Sequence, residues 1–512
     1  MAPHAETPRV PDDKTARTSA GRLVSGVAWN ALGRGLPLVL ALALTPVLVA
    51  QLGVERWGLF TLALALVGVF GILDLGVGPA LTRALSERIG NGETEGEAQL
   101  VGAAILTLGG LSVLGAVVVW FGLPVLVGRV LNVPPSLQAE AIDAMRVLVL
   151  AAPLVVVNAA LWGVLAAHQK FRAANLVTIP VGVFYYLGPV LALMAWDSLV
   201  AVMLALVACR LANTLSYLVL VKPLVPGLRL TGIRLAPVLP LLRIGGWMTF
   251  SSALMQVLLY ADRFLVGAML TLAAVAYYAT PLDLVLRFWI LPVAVAQALL
   301  PALASSFRTL PVETAALLRR GALLIGTIVL PACLLIVAFA HTLLSLWLGA
   351  GFADGGASVL RILGVGILFS CVAFAPSSLI DAIGRPDVTA GFSVGQAVVF
   401  LPLSALSLYW FGIEGAAIVW ALRSAVDCFG RLFIAGWLYP PALIAVRTVM
   451  PALAAGGLGL AAAAAVPSVG LAIGFGLAAM AGFGGFGWRA LVAEERHGLV
   501  QAILHPRRSL RI

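Results

Sequence analysis

The stretch "LLYADRFLVG", residues 258–267, lies inside a long, largely apolar run from Gly245 to Leu270. It sets an acid and a base, Asp262 and Arg263, side by side where a membrane-buried helix should carry neither. The rest of the chain decides what surrounds them. Hydrophobic residues make up 62% of the 512 and charged residues 11%, with a mean hydropathy of +1.06. A soluble domain carries roughly 25% charged residues to keep its surface wet, so most of this surface faces lipid. The apolar runs are continuous rather than alternating, which selects helices over a closed barrel as the spanning element. The expected fold class is an all-α polytopic membrane protein.

A bilayer core of about 30 Å needs roughly 20 helical residues per crossing. Charge, Pro and Gly punctuation divides the chain into about fourteen candidate spans: 23–50, 57–83, 98–127, 139–167, 173–196, 199–221, 245–270, 274–303, 316–347, 356–383, 389–410, 413–438, 445–466 and 469–488. Lys and Arg then fix the orientation. With the N-terminus inside, the outer loops hold only Arg56 and Arg129, while the tails and inner loops hold twenty-three. That asymmetry predicts two cytoplasmic termini and a location in the bacterial inner membrane. The formal charge of +10 is therefore read as a signal for anionic lipid headgroups and orientation, with no nucleic acid partner.

The first twelve spans read as two copies. "GVAWN" from Gly26 resembles "GGWMT" from Gly245, "LPVLVGRVL" from Leu123 lies opposite "HTLLSLWLG" from His341, "QKFRAA" from Gln169 opposite "GRPDVTA" from Gly384, and Arg210 opposite Arg423. The offsets, 213 to 219 residues, are nearly constant. Six helices per copy bring both copies in from the same side, a plan that predicts two pseudo-symmetric six-helix lobes around a central cavity plus two C-terminal helices. The boundaries are a cytoplasmic tail at 1–21, an N-lobe at 22–221, a linker at 222–244, a C-lobe at 245–440, helices 13 and 14 at 441–488, and a tail at 489–512. The small residues of "PALAAGGLGLAAAAA" in the last pair suit close helix packing.

Seven arginines remain inside the spans: Arg34, Arg146, Arg210, Arg263, Arg287, Arg361 and Arg423. Asp262, Asp283 and Asp427 lie within spans too, and Asp74 lies toward the inner end of the second. A charge facing lipid costs about 2.5–3.5 kcal/mol on the lenient insertion scale, so most of these face a wet cavity or a partner. Arg423, Asp427 and Arg431 follow an i, i+4, i+8 stripe that reads as structural pairing. Asp283 and Arg287 are also four apart and could satisfy each other. Adjacent helical residues diverge by about 100°, so Asp262 and Arg263 need separate partners; Asp262 is expected to pair across helices. Arg34 and Arg287 fall near the bilayer midplane, and Arg263 about 10 Å from the outer end of its span. If their helices border one cavity, Arg34, Arg263 and Arg287 form a row of permanent cations suited to a multiply charged phosphate. Asp74, Asp262 and Asp283 are the acids that would offset them.

The run "NALGRGLPLVLALALTPVLVAQLGVERWGLFTLALALVGVFGILDLGVGPALTRALSE" from Asn30, the run "LLRIGGWMTFSSALMQVLLYADRFLVGAMLTLAAVAYYATPLDLVLRF" from Leu241, "GRPDVTA" and "GIEGAAIVWALR" resemble the oligosaccharide flippases of the multidrug/oligosaccharidyl-lipid/polysaccharide exporter superfamily. The resemblance covers residues 22 to about 440. It implies two lobes working by alternating access on an undecaprenyl-diphosphate-linked oligosaccharide, carried from the cytoplasmic to the periplasmic leaflet, with membrane lipids as surroundings and a polysaccharide polymerase and chain-length regulator as further partners. It also implies a diphosphate-binding role for Arg34, Arg263 and Arg287. Asp74, Gly76 and Gly78 match a recurrent pattern whose glycines read as packing or hinge positions.

No enzyme pattern competes. There is no phosphate-binding G-x-x-x-x-G-K-[ST] loop, the five histidines lie in tails or near helix ends, and the loops are too short for a catalytic domain. Cys209, Cys333, Cys371 and Cys428 sit in apolar runs without metal spacing, so no cofactor or metal is expected. Two other readings stay open: a cation-coupled small-molecule exporter, which needs buried titratable acids, and a non-transporting scaffold of a polysaccharide assembly complex, which has no reason to keep intramembrane charges.

Overall fold

A computed structural model describes residues 13–74, 77–92, 96–228 and 256–490. Among these there are helices and turns and no strands. In chain order the helices are α1 (Asp13–Phe70), α2 (Val77–Asn91), α3 (Glu97–Val125), α4 (Pro135–Val149), α5 (Ala151–Ala167), α6 (Phe171–Ala195), α7 (Leu199–Val221), α8 (256–269), α9 (Leu272–Leu286), α10 (Ile290–Ser306), α11 (Pro311–Leu348), α12 (Ala350–Val372), α13 (Phe374–Ile383), α14 (Pro386–Leu438), α15 (Leu443–Ala465) and α16 (Val469–Ala490). Eleven continuous segments among the described residues are long and apolar enough to cross a bilayer.

Two of these helices are too long to be single crossings. At about 1.5 Å per residue, the 58 residues of α1 would reach nearly three bilayer cores, and the 53 of α14 more than two. Each is interrupted once. Gly53 adopts φ 73°, ψ 165°, and Gly412 adopts φ 59°, ψ −147°, a backbone region open essentially to glycine alone. The breaks fall where the sequence separates spans, between 50 and 57 and between 410 and 413.

The chain forms two compact units. The first takes the described parts of residues 1–53, 66–129 and 134–256. Its core joins α2, α3, α5 and α7 through Leu81, Leu85, Leu100, Leu108, Leu161 and Tyr217. Helix α5 approaches α2 so closely that a Cβ at Gly163 would stand 2.9 Å from the carbonyl oxygen of Gly78, so the close approach requires glycine at 163. Gly76 lies outside the described residues.

The second unit takes 54–65, 130–133 and the chain from Val257. Its centre is the α11–α12 pair, where Val329, Cys333, Val337, Leu360, Leu363 and Ile367 are buried. The Gly/Ala-rich helices α15 and α16 pack on each other and on α11, as their small residues predict. A Cβ on Gly476 would stand 1.8 Å from Leu334. Residues 54–65 are fastened here by Trp57, whose indole N–H donates to Thr280 Oγ1 at 2.7 Å. Asn132 donates its backbone N–H to the Gly267 carbonyl at 2.9 Å and its amide Nδ2 to that of Ala268 at 3.1 Å. Nothing in the sequence marks Trp57 or Asn132 for these contacts.

Candidate functional site

The α8–α9 hairpin carries three of the six expected site residues and brings them together. Its turn is fixed by Thr271, whose hydroxyl accepts the N–H of Ala274 at 3.1 Å, a side-chain cap for α9. Arg263 on α8 is only 3% exposed. Its two terminal nitrogens grip the Asp283 carboxylate on α9, Nη1 to Oδ2 at 3.3 Å and Nη2 to Oδ1 closer still. The guanidinium also lies over the Tyr260 ring, 5.4 Å from its centroid. This fork is strong because both partners are ionised and planar. The pair is lopsided: the Asp283 side chain is 43% exposed, so the acid is the open end and the base the sealed one.

Asp262 takes a separate set of partners. It is 5% exposed, accepts the Tyr278 hydroxyl at 3.2 Å, and has the Ser404 side chain of α14 beside it. Arg423, also on α14, and Arg263 both supply opposing charge. Asp262 thus pairs across helices, as its position beside Arg263 requires.

The pairing that was open to Asp283 and Arg287 by their spacing does not form. Asp283 is taken by Arg263, twenty residues away, and helical geometry at the next turn gives the reason. The chain leaves α-helix at Arg287, which begins a 3₁₀ turn (Arg287–Trp289) between α9 and α10. The tighter winding departs from the i, i+4 face on which the pairing was assumed. Arg287 is exposed and has no hydrogen-bond or ion-pair partner among the described residues. It stands about 22 Å along the Leu272–Ser306 segment, which is 35 residues long. The side chains of Arg34 and Asp74 lie outside the described residues, so the row of cations is represented here by Arg263 and Arg287. Among the described residues, Arg263 is neutralised and Arg287 is not.

The remaining intramembrane charges have structural partners. Arg431 is mostly buried, lies within α14 rather than in a loop, and donates Nε to both oxygens of Asp427 at 2.8 and 2.9 Å and Nη1 to Ser377 at 2.9 Å. Gln396 completes that cluster by donating to Asp427 at 2.8 Å. Arg210 stacks on Tyr185 at 5.4 Å, Arg146 on Trp120 at 5.5 Å, and Arg361 donates to the Val466 carbonyl at 3.2 Å. Among the described residues no group of three or more His, Cys, Asp or Glu side chains could hold a metal, and the four cysteines are free thiols.

A model of the polysaccharide biosynthesis protein family matches residues 23–307, more than half of the chain. The chain belongs to that family. Among curated relatives of this polysaccharide biosynthesis protein, a candidate O-antigen transporter of Shigella flexneri is 26% identical over 433 residues, covering 81% of this chain and 97% of the relative. Among solved structures, an inward-facing multidrug-resistance transporter of the MATE family, itself of the MOP superfamily, aligns with a TM-score of 0.68 at 16% identity, covering 82% of this chain and 99% of that one. The lipid II flippase MurJ, in an inward closed conformation, aligns with a TM-score of 0.67 at 12% identity, covering 90% and 99%. At these identities the solved structures show a shared fold. This member of the family is a multi-pass membrane protein, and the relative and solved structures it resembles are named as transporters and a flippase.

Proposed function

We propose that the protein is a flippase that carries a lipid-diphosphate-linked oligosaccharide from the cytoplasmic to the periplasmic leaflet of the inner membrane. Two six-helix lobes, 22–221 and 245–440, joined by the 222–244 linker, alternate access to a cavity between them, with both termini cytoplasmic. The sugar crosses in water while the lipid tail stays in the bilayer. The observation that carries this reading is Arg287, an exposed guanidinium halfway along an apolar segment with no counter-ion among the described residues. An uncompensated cation at that depth costs free energy in every empty protein and recovers it when an anion arrives. Diphosphate fits because guanidinium binds phosphate oxygens two at a time and stays charged at any physiological pH. Arg34 joins Arg287 in this role, and Asp74 offsets them. Arg263 and Asp283 form a pair whose open carboxylate can be displaced by the incoming diphosphate, while Asp262 anchors α8.

The test is complementation of a deletion strain. Arg287→Ala should accumulate in the membrane at the wild-type level yet fail to restore surface polysaccharide, with undecaprenyl-linked sugar building up inside. Normal polymer with Arg287→Ala would sink the assignment.

A further inference from the structure

A cavity of about 770 Å³ opens beside the turn that joins α10 to α11, away from the α8–α9 cluster. Its walls come from Thr309 to Val312, Glu313, the α11 arginines Arg319 and Arg320, Pro441 of the α14–α15 connection, and Ile444 and Ala445 in the first turn of α15. We propose that this cavity is a binding site for an anionic phospholipid of the surrounding bilayer, separate from the transported cargo.

Its depth follows from the chain. Only four residues separate Ser306, the end of α10, from Pro311, the start of α11, and both helices belong to membrane-spanning segments. The second wall is a similarly short connection between the α14 and α15 spans. The two connections are tied together where the Tyr439 hydroxyl donates to the Phe307 carbonyl at 2.8 Å. Turns this short between two spans sit at headgroup level, and so does the cavity they enclose.

Charge and polarity fit a lipid with a negative head. Around the cavity the segments 306–320 and 439–450 hold four arginines, Arg308, Arg319, Arg320 and Arg447, against one acid, Glu313. Arg319 is buried and Arg320 exposed, so one guanidinium lies in the wall and the other at the mouth. The first turn of α11, which has no side-chain cap, adds the positive end of a 38-residue helix, which favours an anion. The rim is apolar, with Val312 80% and Ile444 66% exposed. Basic pockets between spans with apolar lips suit a phosphate head and the first carbons of its chains, and the volume lies within the usual range for ligand sites.

The test is native mass spectrometry of the full-length protein titrated with dioleoylphosphatidylglycerol or dioleoylphosphatidylcholine. One phosphatidylglycerol should remain bound at least tenfold more tightly than phosphatidylcholine. Arg320→Gln should weaken it about fivefold, with a further loss in Arg319→Gln/Arg320→Gln and in Ile444→Ser. Arg320 is exposed, so its single variant decides the matter if the double variant does not fold. Equal retention of the two lipids, or unchanged retention in a well-folded Arg320→Gln, would overturn the proposal. Displacement by glycerophosphoglycerol at equal concentration would reduce the site to a free-anion pocket and overturn it too. Displacement by micromolar farnesyl diphosphate would assign the cavity to cargo instead and defeat the proposal equally.

Discussion

Arg263 and Asp283 are joined by both ends of a guanidinium fork across the α8–α9 hairpin, with the base sealed and the acid half open. The consequence differs from that of a free cavity cation. Removing Asp283 strands a buried positive charge, a loss of about 2–4 kcal/mol moderated by the exposure of the acid. Asp283→Asn should therefore lower the unfolding temperature in detergent and the amount of protein in the membrane. Arg263→Ala should do the same, while Asp283→Glu should be tolerated. Wild-type stability in both Asp283→Asn and Arg263→Ala would show that the pair contributes nothing to the fold.

Asp262 and Arg423 should behave as a coupled couple. Arg423→Ala leaves a buried carboxylate with less opposing charge and should reduce abundance. Asp262→Asn in the same chain should recover part of the loss, a coupling of about 1–3 kcal/mol in a double-mutant cycle. Strictly additive effects on thermal unfolding would separate the two residues.

Gly412 and Gly395 both have open space where a Cβ would go, and only Gly412 has a positive φ. Gly412→Ala should cost about 1–3 kcal/mol because the strained backbone is the whole penalty. Gly395→Ala, on an exposed helical face, should be neutral or stabilising by up to about 1 kcal/mol. Comparing their thermal unfolding checks the assignment; equal responses would remove Gly412 as the point where α14 turns back.

The proposed orientation predicts reporter behaviour. Alkaline phosphatase fused after Asp197, in the short α6–α7 connection, or after Asp354 should be active. Fusion after Arg385, between α13 and α14, should be inactive. Reversal of this pattern would invert the topology.

Much of the architecture was legible because it is set by one-dimensional quantities. Run length and continuous apolarity mark spans, and Gly53 and Gly412 sit where runs must turn. The Arg431–Asp427 pair was legible as well, since both residues share one regular helix. The same rule left Asp283 open to Arg287, a pairing that is lost where the winding tightens at the 3₁₀ turn. The true partner, Arg263, depends on how two helices rotate against each other, and no local spacing encodes that rotation. The grip of Trp57 on Thr280 is hidden for the same reason, because the two lie 223 residues apart. The sequence marked the scarce charges as demanding partners or a wet cavity; which partner Arg263, Asp262 and Arg431 found was a property of packing.

Arg361 reaches from α12 to the Val466 carbonyl just past the end of α15, where a cation answers the negative pole of the helix. This single tether changes how the terminal helix pair can be studied. Trimming the chain ahead of Val466 to ask whether transport needs those helices would remove the carbonyl that holds the Arg361 guanidinium. The truncated protein would then fail for want of a fold, and the experiment would mistake a missing brace for a missing activity.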